Sequence, residues 1–262
     1  MLLAVDIGNT NTVTGLFDRG RLCGKWRMRS QRGMTCDEIH LFCSNVFSGS
    51  GFAYKDVTGV IISCVVPSIG VPFEEFCRKY LCRSFLRVDE TSALNMQLLV
   101  DNPHSIGADR IVNAVAAFSK YRSSLIVIDF GTATTFDVIS KDGAYLGGSI
   151  SPGIRIAAEA LYRRTSQLPE IREFSLPDRA IAKNTPDAMN AGIIYGYAGL
   201  VDGIVRRTAR EMETSPKVIA TGGFASLISG VAETIDSVEP DLTLEGLRII
   251  HEKRENNKAA SA

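Results

Sequence analysis

The sequence predicts an α/β protein built from two duplicated halves, and three observations predict it. The first is an internal repeat. Leu2-Leu3-Ala4-Val5 leads into Asp6-Ile7-Gly8-Asn9-Thr10-Asn11-Thr12, and Leu125-Ile126-Val127-Ile128 leads into Asp129-Phe130-Gly131-Thr132-Ala133-Thr134-Thr135. Each copy reads as an apolar strand, an Asp-x-Gly turn with polar residues, and a Thr-containing strand (12–17 and 135–139). Each second strand ends in a turn, Asp18-Arg19-Gly20 or Lys141-Asp142-Gly143. The second observation is spacing: Asp6 and Asp129 lie 123 positions apart in a chain of 262. The third is that strand and helix patterns alternate after each repeat, with no low-complexity linker between the halves.

The elements follow in order. Residues 60–66 read as a strand ending at Pro67, and 72–82 as a helix. An apolar helix over 111–121 joins the halves. Residues 188–210 read as a long helix despite glycines at 192, 196, 199 and 203, and 218–220 as a short buried strand running into Thr221-Gly222-Gly223. The polar stretch 251–262 reads as a frayed tail. The predicted domains are 1–114 and 115–262, around a central cleft, with a terminal helix packing back on the first domain.

Composition narrows the function classes. Lys+Arg and Asp+Glu both number 29, so no chain-wide basic field points to nucleic acid. Hydrophobic residues make up 45% of the chain, enough for one large core or two modest ones. Cys23, Cys36, Cys43, Cys64, Cys77 and Cys82 form no Cys-x-x-Cys pair and read as reduced thiols. The apolar run before Asp6 is short for a signal peptide and lacks a basic leader. No run approaches the ~20 apolar residues of a membrane span. The expectation is a cytoplasmic protein with no membrane or nucleic-acid partner.

Three motifs carry chemistry. Gly8, in a tight turn between strands, lets backbone approach a ligand closely, and neighbouring N–H groups with Asn9, Thr10 and Asn11 can cradle phosphate oxygens. Asp6 at the strand end can hold hydrated Mg²⁺, which prefers oxygen ligands. An ordinary hairpin would explain one such turn; the second copy at Asp129-Phe130-Gly131-Thr132 favours a grip on polyphosphate. After Thr221, Gly222 and Gly223 lack side chains where a flat base or ribose could lie against backbone, although a helix-capping turn also explains them.

In this order the three elements resemble the phosphate-1, phosphate-2 and adenosine motifs of the actin/sugar-kinase/Hsp70-like superfamily, whose fold is two ribonuclease-H-like halves. Further segments narrow the resemblance. They are Asp101-Asn102-Pro103, Gly107-Ala108-Asp109-Arg110, Gly148-x-Ile150-x-Pro152-Gly153-Ile154, Leu168-Pro169 and Asn184-Thr185. Across nearly the whole chain the set is similar to type III pantothenate kinase. That resemblance implies ATP-dependent phosphorylation of pantothenate to 4'-phosphopantothenate, the first step of coenzyme A biosynthesis. It implies ATP contacts at Asp6, Ile7, Gly8, Asn9, Thr10, Asn11, Thr12, Val13 and Thr132, with Mg²⁺ held at Asp6 through water. It implies Asp109 as general base, and substrate contacts from Gly107, Ala108, Asp109, Arg110 and Thr185. It also implies a monovalent cation, K⁺ or NH₄⁺, at Asp129, and a homodimer. Where relatives often carry an aromatic residue in the pantothenate pocket, this chain has Val100, which lowers the expected contact area.

The residues support the same chemistry, since phosphoryl transfer needs positioning and charge neutralisation more than covalent catalysis. Taken alone, Asp109-Arg110 also fits a charge pair capping a helix from Ile111. Two other function classes stay open: a regulator that keeps the nucleotide fold without catalysis, and another small-molecule kinase or phosphatase of the superfamily. Asp129-Phe130-Gly131 matches a protein-kinase metal motif whose partner motifs are missing, and no Walker A sequence exists. Cys36, His40 and Cys43 share one helical face, which reads as core rather than zinc site for want of a fourth ligand.

Overall fold

The computed structural model describes residues 1–93 and 96–261. In chain order the first elements are β1 (Leu2–Ile7), β2 (Asn11–Asp18), β3 (Arg21–Arg29), α1 (Cys36–Gly49), β4 (Gly59–Cys64), α2 (Pro67–Phe76), β5 (Leu86–Arg87) and α3 (Ala108–Tyr121). They continue with β6 (Leu125–Phe130), β7 (Ala133–Ile139), β8 (Tyr145–Pro152), α4 (Ile154–Arg164), α5 (Thr185–Glu211), β9 (Lys217–Gly222), α6 (Ala225–Ser229), β10 (Ser237–Val238) and α7 (Leu242–Ser261). Two compact units emerge. Met1–Met96, Asp101–Ala116 and Leu242–Ala262 form the first, and Gln97–Val100 with Ala117–Asp241 the second.

In the first unit the sheet runs β3-β2-β1-β4-β5. β1 is antiparallel to β2 and parallel to β4, so it is central and apolar on both faces, as a strand covered twice must be. Leu3, Val5 and Ile7 share one face with Leu16, Val60 and Ile62. That face packs against Ile39, Cys43 and Phe47 of α1 and Ile69, Phe73 and Phe76 of α2. α1 starts at a capping box in which Thr35 Oγ1 accepts from Glu38 N while Thr35 N donates to Glu38 Oε2. The other sheet face receives α7. A Cβ on Gly15 would lie 2.9 Å from Leu244, a closeness only glycine allows.

In the second unit the sheet runs β10-β9-β6-β7-β8, the same topology with β6 in the place of β1. Ile126, Ile128, Phe130, Phe136, Val218 and Ala220 face a core closed by α4, α5 and α6 through Ile154, Ile193, Ile194, Tyr197, Val201 and Ile228. By length and composition α5 is the one helix among the described residues apolar enough to cross a membrane; half of its most apolar stretch is buried within the protein.

Several expectations need correction. The first turn is Gly8-Asn9-Thr10 but the second is only Gly131-Thr132, so the 123-residue offset fails past the turn. Thr12, opposite Ile7, therefore corresponds to Thr134, opposite Phe130, and not to Thr135. The helix expected from residue 72 begins at Pro67, a position where the missing N–H costs nothing, and contains Pro72. The long helix begins at Thr185 after the Asn184 cap, whose side chain accepts from Asp187 N. The expected tail is helical through Ser261, anchored by Leu247 and Ile250 in the core and by Arg254 donating to Thr91; residue 262 lies outside the described residues. His40, read as part of a packed helix face, stacks on Tyr80 with ring centroids 3.9 Å apart and hydrogen-bonds Tyr54, in keeping with that reading.

Candidate active site

Asp6 lies at the C-terminal end of the central strand β1, level with Ser63 on β4 and Val13 on β2, all on one sheet face. The Ser63 hydroxyl is buried with no hydrogen-bond partner among the described residues, so this strand end offers a carboxylate beside an unused hydroxyl. The hairpin turn is tight: Gly8 N donates to Asn11 O at 3.1 Å. β3 braces it, with Ser30 N donating to Thr10 O at 3.0 Å and the Thr12 and Ser30 hydroxyls 3.0 Å apart. Ile7 and Thr12 are buried, so Ile7 can offer a ligand only backbone.

The segment Gly107–Arg110 sits at the same strand ends. A Cβ on Gly107 would lie 3.7 Å from Val65, whose N–H donates to Ile7 O at the end of β1. α3 begins at Ala108 rather than at Ile111, so Asp109 and Arg110 occupy its first turn. The Asp109 carboxylate accepts from Arg110 N at 2.8 Å and packs where a Gly107 Cβ would be, 2.5 Å from Oδ1. Burial pushes the Asp109 carboxyl above the usual aspartate range, against the opposing pull of the Arg110 N–H and guanidinium. A carboxylate so placed is a stronger base than a free one.

In the second unit Asp129 lies level with Thr135 on β7 and Thr221 on β9. Gly222 has φ +91°, and a Cβ there would lie 2.5 Å from Asp129 Oδ1 and 2.7 Å from the Phe130 backbone. Glycine is thus required by both conformation and space. Thr132 is exposed at the turn, where Gly153 N donates to its carbonyl at 3.1 Å directly before α4. Val100 is half-buried against β8, its Cγ1 3.6 Å from where a Gly147 Cβ would lie, and Leu99 N donates to Tyr145 O. Thr185 opens α5 and lines a groove of about 620 Å³ with Leu161, Leu168, Lys183 and Met189. On α4 the groove is lined by Leu161, eight residues past Gly153 and so roughly 12 Å along the helix from its start.

Sequence reasoning missed Ser63 and Lys183, and it read Thr221 as part of a nucleotide turn without placing it level with Asp129. Ser63 and Lys183 are single residues in an apolar or irregular stretch, and only strand register or the groove lining brings them to notice.

Solved structures share this fold at low identity. Component A of (R)-2-hydroxyglutaryl-CoA dehydratase from Acidaminococcus fermentans superposes with a TM-score of 0.55 at 15% identity, covering 94% of each chain. The ROK hexokinase of Thermus thermophilus gives 0.52 at 11%, covering 97% of this chain and 99% of its own. These likenesses show the actin-like ATPase and sugar-kinase fold and nothing finer. Sequence goes further: residues 2–207 match the family described as type III pantothenate kinase. The type III pantothenate kinase of Desulfatibacillum aliphaticivorans is 54% identical over 98% of this chain and all of its own length. That of Syntrophobacter fumaroxidans is 52% identical over the same shares. With its two like-wound sheets, its Asp-x-Gly turns and this identity over nearly its full length, the chain belongs to the type III pantothenate kinase family.

Proposed function

We propose that Asp109 is the general base in an ATP-dependent phosphorylation of pantothenate to 4'-phosphopantothenate, the first step of coenzyme A biosynthesis. As a family member the chain is a kinase with pantothenate and ATP as substrates. The observation that carries the assignment of Asp109 is its placement: a half-buried carboxylate near the ends of β1 and β4, by the first Asp-x-Gly turn, with its basicity raised. In the reaction the primary hydroxyl oxygen of pantothenate attacks the γ-phosphorus, its proton passes to Asp109, and ADP leaves. Arg110 suits the substrate carboxylate through charge-assisted hydrogen bonds, and Gly107 and Ala108 present backbone to the same substrate. Thr185 and Val100 complete the pantothenate contacts. The stretch from Asp6 to Val13, with Thr132, holds the phosphates of ATP.

Two ions belong to this reading. Asp6 and the unused Ser63 hydroxyl are oxygen donors of the kind Mg²⁺ takes, directly or through water. Asp129, with Thr135 and Thr221 level with it, offers oxygens for K⁺ or NH₄⁺. Bound there, such ions supply positive charge against the polyphosphate. A homodimer through α4 and α5 is supported by open space at Gly192, Gly196, Gly199 and Gly203 and by exposed Ile156, Leu161 and Tyr162. The cytoplasm is the compartment this metabolic role calls for.

The test is ADP release with and without pantothenate, in K⁺ and in Na⁺-only buffer. Pantothenate-dependent release that rises with K⁺ and is lost in Asp129→Ala supports the reading. ATP binding without pantothenate-dependent turnover would favour the regulator, and turnover on a sugar but not pantothenate would favour another kinase.

A further inference from the structure

A buried carboxylate lies one pleat away from Asp129. Asp137 on β7 has no exposed surface, and it accepts from the Tyr145 hydroxyl at 2.7 Å and from Thr135 Oγ1 at 3.2 Å. Tyr145, at the start of β8, is itself fully buried. Thr135 stands directly opposite Asp129 in the β6–β7 ladder, and Asp137 is two residues on, so all three share one sheet face.

Burying a carboxylate in a sheet is expensive unless its hydrogen bonds compensate. The first unit shows that the fold does not require one. By strand register the places of Thr135, Asp137 and Tyr145 are taken there by Val13, Gly15 and Leu22, and Leu22 packs directly over Gly15. The same sheet is thus built once with an apolar set and once with a hydroxyl, a carboxylate and a phenol. What distinguishes the second copy is chemical.

The direction of the Thr135 hydroxyl supplies the chemistry. A hydroxyl has one proton and two lone pairs, and Asp137 takes the proton. The lone pairs are then left for a hydrogen-bond donor or a cation, and the carboxylate of Asp129 directly opposite favours a cation. We propose that Thr135 is a side-chain oxygen ligand for the monovalent cation beside Asp129, and that Asp137, held by Tyr145, is the positioning residue that keeps the Thr135 proton turned away from it. The proposal rests on the assignment of the cation to Asp129 and adds the groups that aim the site. Such supporting partners typically change ion affinity by about 10–100-fold when removed.

The experiment measures the midpoint of thermal unfolding of the intact protein against KCl, at constant ionic strength made up with choline chloride. The wild type should be stabilised as KCl rises. Thr135→Val, which keeps shape and loses the oxygen, should raise the KCl concentration for half-maximal stabilisation by about 10–100-fold, and Thr135→Ser should restore it. Asp137→Asn and Tyr145→Phe should shift it in the same direction, and Tyr145→Phe decides if Asp137→Asn does not fold. A normal KCl response in Thr135→Val overturns the proposal. So does a lowered midpoint with an unchanged KCl response in Asp137→Asn and Tyr145→Phe, since that is a purely structural role. A wild type indifferent to KCl removes the cation assignment and this proposal with it. A KCl response lost in Asp129→Asn but intact in Thr135→Val overturns the proposal alone.

Discussion

Gly107→Ala tests the assignment of Asp109 without touching its carboxyl group. The added Cβ would lie 2.5 Å from Asp109 Oδ1, while ordinary contact begins near 3.4 Å, so the carboxylate must retreat by about 0.9 Å. Retreat stretches its hydrogen bond from Arg110 N, now 2.8 Å, beyond useful length. Val65, the next nearest residue, is at 3.7 Å and tolerates a methyl group. Loss of one such bond costs about 0.5–1.5 kcal/mol of stability, which leaves the protein folded. A reacting group misplaced by about 1 Å can cost about 10²-fold in rate. Steady-state kinetics should therefore show kcat down about 10–100-fold, with the KM for ATP little changed. Gly49→Ala, at an exposed helix end with nothing within 4 Å of the new Cβ, is the control and should leave kinetics alone. Wild-type kcat in folded Gly107→Ala would refute the reasoning, because a base held this closely cannot absorb the displacement without loss.

Asp109→Asn should lower turnover by about 10²–10⁴-fold. Because the folded carboxyl titrates above its unfolded value, its stabilising contribution exists in acid and is lost as pH rises through the folded pKa. Asp109→Asn should thus raise the thermal midpoint at neutral pH, an advantage that disappears in acid, and the wild-type kcat/KM should fall on acidification at a pH above that of a free aspartate. Gly222→Ala, at φ +91° and against the Phe130 backbone, should cost about 2–5 kcal/mol from strain and overpacking together, a fall of roughly 4–20 °C by calorimetry. Gly223→Ala, with nothing within 4 Å of its Cβ, should be nearly silent. Val100→Tyr should act on the KM for pantothenate and not on that for ATP. An extra ~40 Å² of apolar contact would tighten binding by about 1 kcal/mol, and overpacking against Gly147 would weaken it by ~1–3 kcal/mol. Unchanged pantothenate kinetics would remove Val100 from the pocket.

The repeat of Asp-x-Gly between strands was legible because it is local: apolar run, turn and second strand all fall within about sixteen residues. What was not legible depends on register. One residue fewer in the second turn moves Thr134, not Thr135, into the place of Thr12, and no periodicity reports a loop length that both copies tolerate. Ser63 and Thr221 stand opposite the two aspartates only because β4 and β9 pair in parallel with strands more than fifty residues away. The start of α3 was misplaced by three residues because Gly107 and Asp109 read as loop and cap residues, whereas Asp109 accepts the Arg110 N–H from inside the first turn. The last helix was read as frayed from its polar composition, and the apolar residues that anchor it lie upstream of that stretch.

Polar groups that interrupt these sheets divide into those the two copies share and those they do not. Among the described residues the buried polar side chains of the hairpins and their parallel neighbours are Thr12, Thr14 and Ser63 in one unit and Thr134, Asp137 and Thr221 in the other. Ser63 and Thr221 correspond, each level with its Asp, and Thr12 and Thr134 correspond, each level with the residue after that Asp. A buried hydroxyl without a partner costs about 1–3 kcal/mol, and among the described residues Ser63 and Thr134 both lack one. Strands whose buried positions are otherwise mostly apolar have little packing need for these hydroxyls. Their occurrence at matching positions in both copies therefore points to a use common to the two Asp-x-Gly turns, which on the present reading is the handling of phosphate and its counter-ions. Thr14 and Asp137 have no polar counterpart, since Phe136 and Gly15 stand in the matching places. Of the two, Asp137 alone is held by hydrogen bonds, and it belongs to the copy whose aspartate is assigned the monovalent cation.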